Sequence, residues 1–172
     1  MQVADTLGAQ HRVITGDALL AENYPTIHAV GRASTRAPRL VDIRWGDEAV
    51  PKVTLGGEGV GFDTGGLDLK TQDGMYSMKT DMGGGAAVLG AMYAIAQVKP
   101  NVRVIGIMTA AENMPSGTAM RPSDVVTALN GKTFEIGHTD AEGRRGLADA
   151  GRVARGTGPA LGVRDTFCVL TE

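Results

Sequence analysis

Apolar and polar positions first alternate clearly at residues 40–45, LVDIRW, where Val41, Ile43 and Trp45 fall on one side and Asp42 and Arg44 on the other. A period of two is that of a strand with one covered face. Residues 52–55 begin a second strand, which runs into the glycine-rich GGEGVGFDTGG. Residues 84–98 are small or apolar throughout and predict a buried helix, whereas residues 102–108, VRVIGIM, have the length and β-branching of a central strand. Strand, helix and strand in that order predict an α/β fold, with a mixed, largely parallel sheet flanked by helices. Upstream, residues 17–23 predict a short helix with Asp17 as N-cap and Pro25 as its stop. Downstream come a functional loop at 111–124, AENMPSGTAMRPSD, and a hairpin across 125–136. Asn130-Gly131 at its centre suits a two-residue type I′ turn. A last helix is expected past Gly143, where Leu147, Ala150 and Val153 recur at helical intervals.

Composition narrows the class. At 172 residues the chain is long enough for one domain with a real core. A formal charge of −2 gives no electrostatic footprint for nucleic acid or an anionic membrane. No apolar run approaches the roughly 18 residues of a spanning helix. The opening MQVADTLGAQHR lacks the basic start and apolar centre of a signal peptide, and a lone Cys168 excludes an intrachain disulfide framework. A cytoplasmic location is the expectation. Twenty-five glycines against 4% aromatic residues point to tight turns and close backbone approaches. His11 and His28 carry no motif and are expected at the surface.

The chemistry concentrates in two stretches. In IGHTDAEGRRGLADA, residues 136–150, extended backbone would place His138, Asp140 and Glu142 on one side, with Thr139 and Ala141 on the other. In EGVGFDTGGLDLK, Asp63 precedes Gly65-Gly66 and Lys70, and Asp81 follows in MKTDM. Singly, Lys70 reads as a surface amine and Asp81 as a helix cap. Together, Asp63, Asp81, Asp140 and Glu142 are four carboxylates from separate segments, a repulsive set unless divalent cations lie among them. Oxygen-only ligation suits manganese, zinc or magnesium and excludes soft copper.

TDAEGR at 139–144, GFDTGGLDLK at 61–70, MKTDMGG at 78–84 and AENMPSGTAMRP at 111–122, in that family's order, resemble the leucyl aminopeptidases, two-metal cytosolic exopeptidases of peptidase family M17. The resemblance runs from about residue 24 to residue 149. It implies the following assignments. Asp63 and Glu142 bridge two divalent ions, Asp81 serves one and Asp140 the other. Lys70 stabilises the developing oxyanion, and Arg144 holds a bicarbonate that shuttles the proton. Peptides are the implied substrates and a hexamer the implied assembly. Two ions roughly 3.5–4 Å apart polarise a peptide carbonyl and supply hydroxide near neutral pH. One of them also anchors a free α-amine, which restricts cleavage to the amino end.

The departures are specific. Where the family has a metal-ligating lysine, this chain has Glu58 within Gly57-Glu58-Gly59, an oxygen donor that adds a negative charge. His138 stands where the family has asparagine, and it is expected to hydrogen-bond around the ligands rather than ligate. Residues 1–172 read as a partial catalytic domain, an incomplete first half whose tail diverges from about 151 to 172, with the family's amino-terminal domain absent. Two functions follow: a two-metal aminopeptidase impaired by truncation, or a non-catalytic metal-binding or interaction remnant. DNA binding, a property of some family members, finds no basic patch here.

Overall fold

The computed structural model describes residues 2–165, so Cys168 lies outside the described residues. In chain order the elements are α1 (Gln2–Thr6), β1 (Gln10–Thr15), α2 (Ala18–Ala21), α3 (Pro25–Gly31), β2 (Arg39–Trp45) and β3 (Lys52–Asp63). They continue as α4 (Gln72–Tyr76), a 3-10 turn at Met78–Thr80, α5 (Gly83–Val98), β4 (Arg103–Asn113), the hairpin β5 (Val125–Thr127) and β6 (Thr133–Glu135), α6 (Glu142–Gly156) and β7 (Leu161–Asp165). The main sheet has the order β1-β2-β4-β3-β7. β4, β3 and β7 run parallel, and β2 and β1 add antiparallel pairings at one side. This is the mixed, largely parallel α/β sheet that the pattern predicts.

Helices cover both faces. Ile105 and Ile107 of β4 and Leu40 of β2 pack on Ile27 of α3 and on Ala150 and Ala154 of α6. Val104 and Met108 of β4 and Ile43 of β2 pack on Val88 and Met92 of α5. Burial from both sides is why β4 reads as an uninterrupted apolar run.

Several sequence expectations change in detail. Helix α5 is not buried all round: Val88, Met92 and Ala96, four apart, face the sheet, while Tyr93 and Val98 are exposed. It lies in an outer layer, so only one stripe has a sheet beneath it. Pro25 opens α3 at its first turn, where its missing N–H costs nothing, and Asp17 makes no side-chain cap. Strand β1 escapes pattern reading because among its residues only Ile14 is buried. The hairpin forms, but around a three-residue loop. Gly131 N donates to Ala128 O, Ala128 N donates to Lys132 O, and Gly131 takes φ +79°. That is a turn followed by a left-handed glycine, so Asn130 needs no positive φ. The buried Asp149 of α6 fastens this loop, accepting from Leu129 N at 2.9 Å and from Thr26 N of α3 at 2.9 Å.

β3 reaches its expected end, whereas β4 extends beyond its own. β3 continues through the glycine-rich stretch to Asp63, and β4 continues to Asn113, into what sequence patterning assigned to a loop. Their carboxyl ends therefore lie side by side, the position at which open parallel sheets place their functional groups.

Candidate metal centre

On β3, Glu58 pairs with Thr109, whereas Asp63 pairs with Asn113, so five steps on one strand match four on the other. The register shift lies between Val60 and Phe62. Residues five apart on a regular strand face opposite ways, and the bulge brings Glu58 and Asp63 to the same face of the sheet. After β3, Gly65 and Gly66 take φ +86° and +72°. A Cβ on Gly66 would come to 2.9 Å from Asn113 Oδ1, so this turn has room for backbone alone. Thr64 closes the loop: its carbonyl accepts from Lys70 N at 2.9 Å. Lys70 thereby returns over the strand end, with Nζ 3.0 Å from Asp63 Oδ2 and 2.6 Å from Asp140 Oδ1.

The chain from β6 to α6 supplies the remaining acids. Asp140 precedes α6 and Glu142 is its first residue, where unpaired amides favour a carboxylate. Two triads result: Glu58, Asp81 and Glu142, and Asp63, Asp140 and Glu142, each with carboxylate oxygens within 4.8 Å of one another. Glu142 belongs to both. Glu58, Asp63, Asp81 and Glu142 are all buried, and Asp140 is partly exposed. Glu58 is 2% exposed, which removes the possibility that it turns to solvent.

Crowding shows in the acidities. Burial, then Asp63, with Glu58 and Asp81 adding, pushes the Glu142 carboxyl up to about 8. Burial and Asp63 push Asp81 up to about 6. Burial also raises Asp140, outweighing its bond to Lys70. For Lys70, burial works against the charge, but hydrogen bonds to Asp140 and Asp63 prevail and hold the ammonium above its ordinary value.

Not every expected residue joins the cluster. Extended backbone at 138–142 would have aligned His138 with the acids, but the chain turns here, and only Asp140 and Glu142 face Asp63. The His138 side chain is 63% exposed, with Nδ1 3.6 Å from Asp68 Oδ2 and accepting from Asp140 N at 3.2 Å. Arg144 is exposed, and among the described residues it makes no hydrogen bond or ion pair with a side chain of the cluster. Its neighbour Arg145 instead donates to the carbonyls of His138 and Thr139.

Two residues that sequence reading passed over organise the site. Asn113 Nδ2 donates to Asp63 Oδ1 at 2.9 Å and Thr139 O at 3.1 Å, and lies 3.3 Å from Glu142 Oε2. It continues the inward series Ile105, Ile107, Thr109 and Ala111, and that phase was the available signal. Thr139, fully buried, donates through Oγ1 to Gly65 O and accepts from Asp68 N at 2.8 Å, while its own N–H donates to Asp68 Oδ2 at 2.6 Å. That last bond leads the causes that hold the Asp68 carboxyl below its ordinary value.

The fold and the cluster define a class: an α/β domain on a mixed, largely parallel sheet, with a buried acidic centre at the adjoining ends of two central strands. Its family is fixed by likeness to known proteins. Residues 1–163 match the profile of the cytosol aminopeptidase family, catalytic domain. A probable cytosol aminopeptidase of Koribacter versatilis is 46% identical over 160 residues, covering 91% of this chain and 31% of that protein. The crystal structure of a cytosol aminopeptidase from Coxiella burnetii superposes with a TM-score of 0.91 at 46% identity, covering 94% of this chain and 35% of that one. The bottromycin maturation enzyme BotP in complex with Mn gives a TM-score of 0.89 at 42% identity, covering 96% and 37%. This chain belongs to the cytosol aminopeptidase family, and it spans about a third of the length of the curated relatives it matches. No helix among the described residues is long and apolar enough to cross a membrane.

Proposed function

We propose that this chain carries the divalent-metal centre of an aminopeptidase that removes amino-terminal residues from peptides. The single observation behind it is the pair of carboxylate triads sharing Glu142. The donor set fits hard or borderline cations: five carboxylates form two overlapping triads, Lys70 pairs with Asp63 and Asp140, and the surroundings push Glu142 and Asp81 towards protonation when no ion is bound. Glu58, Asp81 and Glu142 would hold one ion, and Asp63, Asp140 and Glu142 the other. Manganese is the first choice, in line with the Mn complex of the similar BotP, with zinc and magnesium as alternatives. The ions supply Lewis acidity and an activated water.

The protein's own groups do the rest. Lys70 presents an ammonium at the strand ends, placed to donate to an oxyanion. Asn113 holds Asp63 and neighbours Glu142, so these two carboxylates keep a common orientation. Arg144, exposed in the first turn of α6, is the candidate holder of bicarbonate as a proton carrier. The site works in the cytoplasm and in a homo-oligomer. Leu161 and Val163 on the edge strand β7, more than half and about half exposed, offer apolar surface for such assembly.

Glu58 favours a second reading, a cation-binding module without turnover, because added negative charge lowers the electrophilicity of bound ions. Release of anilide from a leucyl-anilide substrate in manganese, abolished by chelation, is the expected result. Manganese binding without turnover selects the second reading, and absence of binding overturns both.

A further inference from the structure

The loop between β3 and Lys70 has no apolar anchor. Gly65 and Gly66 take positive φ, and Leu67 and Leu69 are 44% and 61% exposed. Yet this loop delivers Lys70, whose ammonium lies 2.6 Å from Asp140 Oδ1 and 3.0 Å from Asp63 Oδ2. A flexible four-carbon stem keeps such distances only if the backbone that carries it is fixed. Asp68, the one polar side chain between Thr64 and Lys70, ties the loop to the turn before α6. Thr139 N donates to Asp68 Oδ2 at 2.6 Å, and Asp68 N donates to Thr139 Oγ1 at 2.8 Å. Each residue's side chain thus satisfies the other's amide, and sliding either segment breaks both bonds. Lys70 stands just beyond Asp68 in the chain and Asp140 directly after Thr139, so this clasp sets the ammonium against the carboxylate. Asp68 itself belongs to neither triad.

On the footing of the aminopeptidase reading above, we propose that Asp68 is a positioning residue for the reaction. Acting through Thr139, it holds Lys70 where the ammonium meets the oxyanion as that charge develops. Asp68 serves by reach, as an acceptor at the right distance from Thr139 N, and not by the charge it brings. A donor that meets only the developing charge acts on kcat and leaves KM nearly alone. Loss of Asp68 is therefore a weaker copy of the loss of Lys70.

Two measurements test this. The first needs neither metal nor turnover: the rate of Lys70 acylation in the metal-free chain, read by mass spectrometry against the exposed Lys132. Asp68→Ala should speed it about tenfold as the loop comes free. The second is leucyl-anilide hydrolysis in manganese. Asp68→Ala should lower kcat about 10- to 100-fold and change KM by less than about twofold. In a Lys70→Met background it should change the residual rate by less than about twofold. Asp68→Asn, which keeps the acceptor and the reach, should restore most of the rate, whereas Asp68→Glu, which keeps the charge and lengthens the arm, should not. That pair decides the matter should Asp68→Ala fail to fold. Unchanged Lys70 acylation, a loss confined to KM, full additivity with Lys70→Met, or a rate that follows charge instead of reach overturns the positioning role while sparing the aminopeptidase reading. No turnover by the wild-type chain overturns both.

Discussion

At Gly143, in the first turn of α6, a single methyl group would overlap the Glu58 carboxylate of β3. Glu58 is buried, so its head group has no solvent to swing into. Gly143→Ala should therefore cost about 1–3 kcal/mol of stability as an overpacking change. It should also weaken divalent-ion binding, because relief comes only from moving Glu58 away from Asp81 and Glu142. Urea unfolding and manganese titration of the variant check both effects, and an unchanged midpoint would mean that the contact gives way freely. At this scale much of the site was legible. Asp63, Asp81, Asp140 and Glu142 do converge, since their spacing within short motifs was already suggestive. Asn113 was not, because an asparagine in a polar stretch reads as loop until the strand beneath it is known to continue. His138 was misplaced for a related reason. Alternation applies to extended backbone, and at residues 138–141 the chain turns.

Between elements, Thr139 connects the loop after β3 to the turn before α6. Its hydroxyl donates to Gly65 O and accepts from Asp68 N, and its amide donates to Asp68. Thr139→Val keeps the shape and removes the hydroxyl, leaving a buried carbonyl and amide without that partner. A loss of about 1–3 kcal/mol is expected. The loop carrying Lys70 should loosen, and hydrogen exchange at the Lys70 amide, bonded to Thr64 O, would report it as faster exchange. Element identity was largely readable from periodicity: β2, β4, α5, the hairpin and α6 all stand where the pattern put them. The end of β4 was not. Glycines and small polar residues resemble loops, yet in β3 and β4 they permit the close helix packing that continues to the site.

For the whole molecule, the acidic centre makes stability depend on pH in a definite direction. Without metal the folded chain keeps a proton on Asp81 up to about pH 6 and on Glu142 up to about pH 8, whereas the unfolded chain loses both near ordinary carboxylate values. Between these limits the folded state binds more protons. The contribution of these two groups to stability is thus full below about pH 4 and is lost as pH rises through 6 and 8. Manganese bound as proposed would replace those protons, so its stabilising effect should grow over the same range. Thermal unfolding at pH 5 and pH 8.5, each with chelator and with manganese, measures this. A metal-free midpoint that rises with pH would contradict the protonated cluster. None of this was visible in the formal charge of −2, which counts charges but not where they are buried.

The offset between β3 and β4 also bears on how the chain tolerates changes in length. Gly61 is a spare step, present in one strand and unmatched in the other. Losing it would let the ladder run regularly, with Glu58 and Asp63 four apart and still co-facial, whereas a second residue inserted beside it would turn Asp63 to the opposite face and take one carboxylate out of the centre. Within β3, then, the same spot tolerates shortening and punishes lengthening, and a length change at Gly61 decides whether the acidic centre exists while the sheet upstream stays as it is.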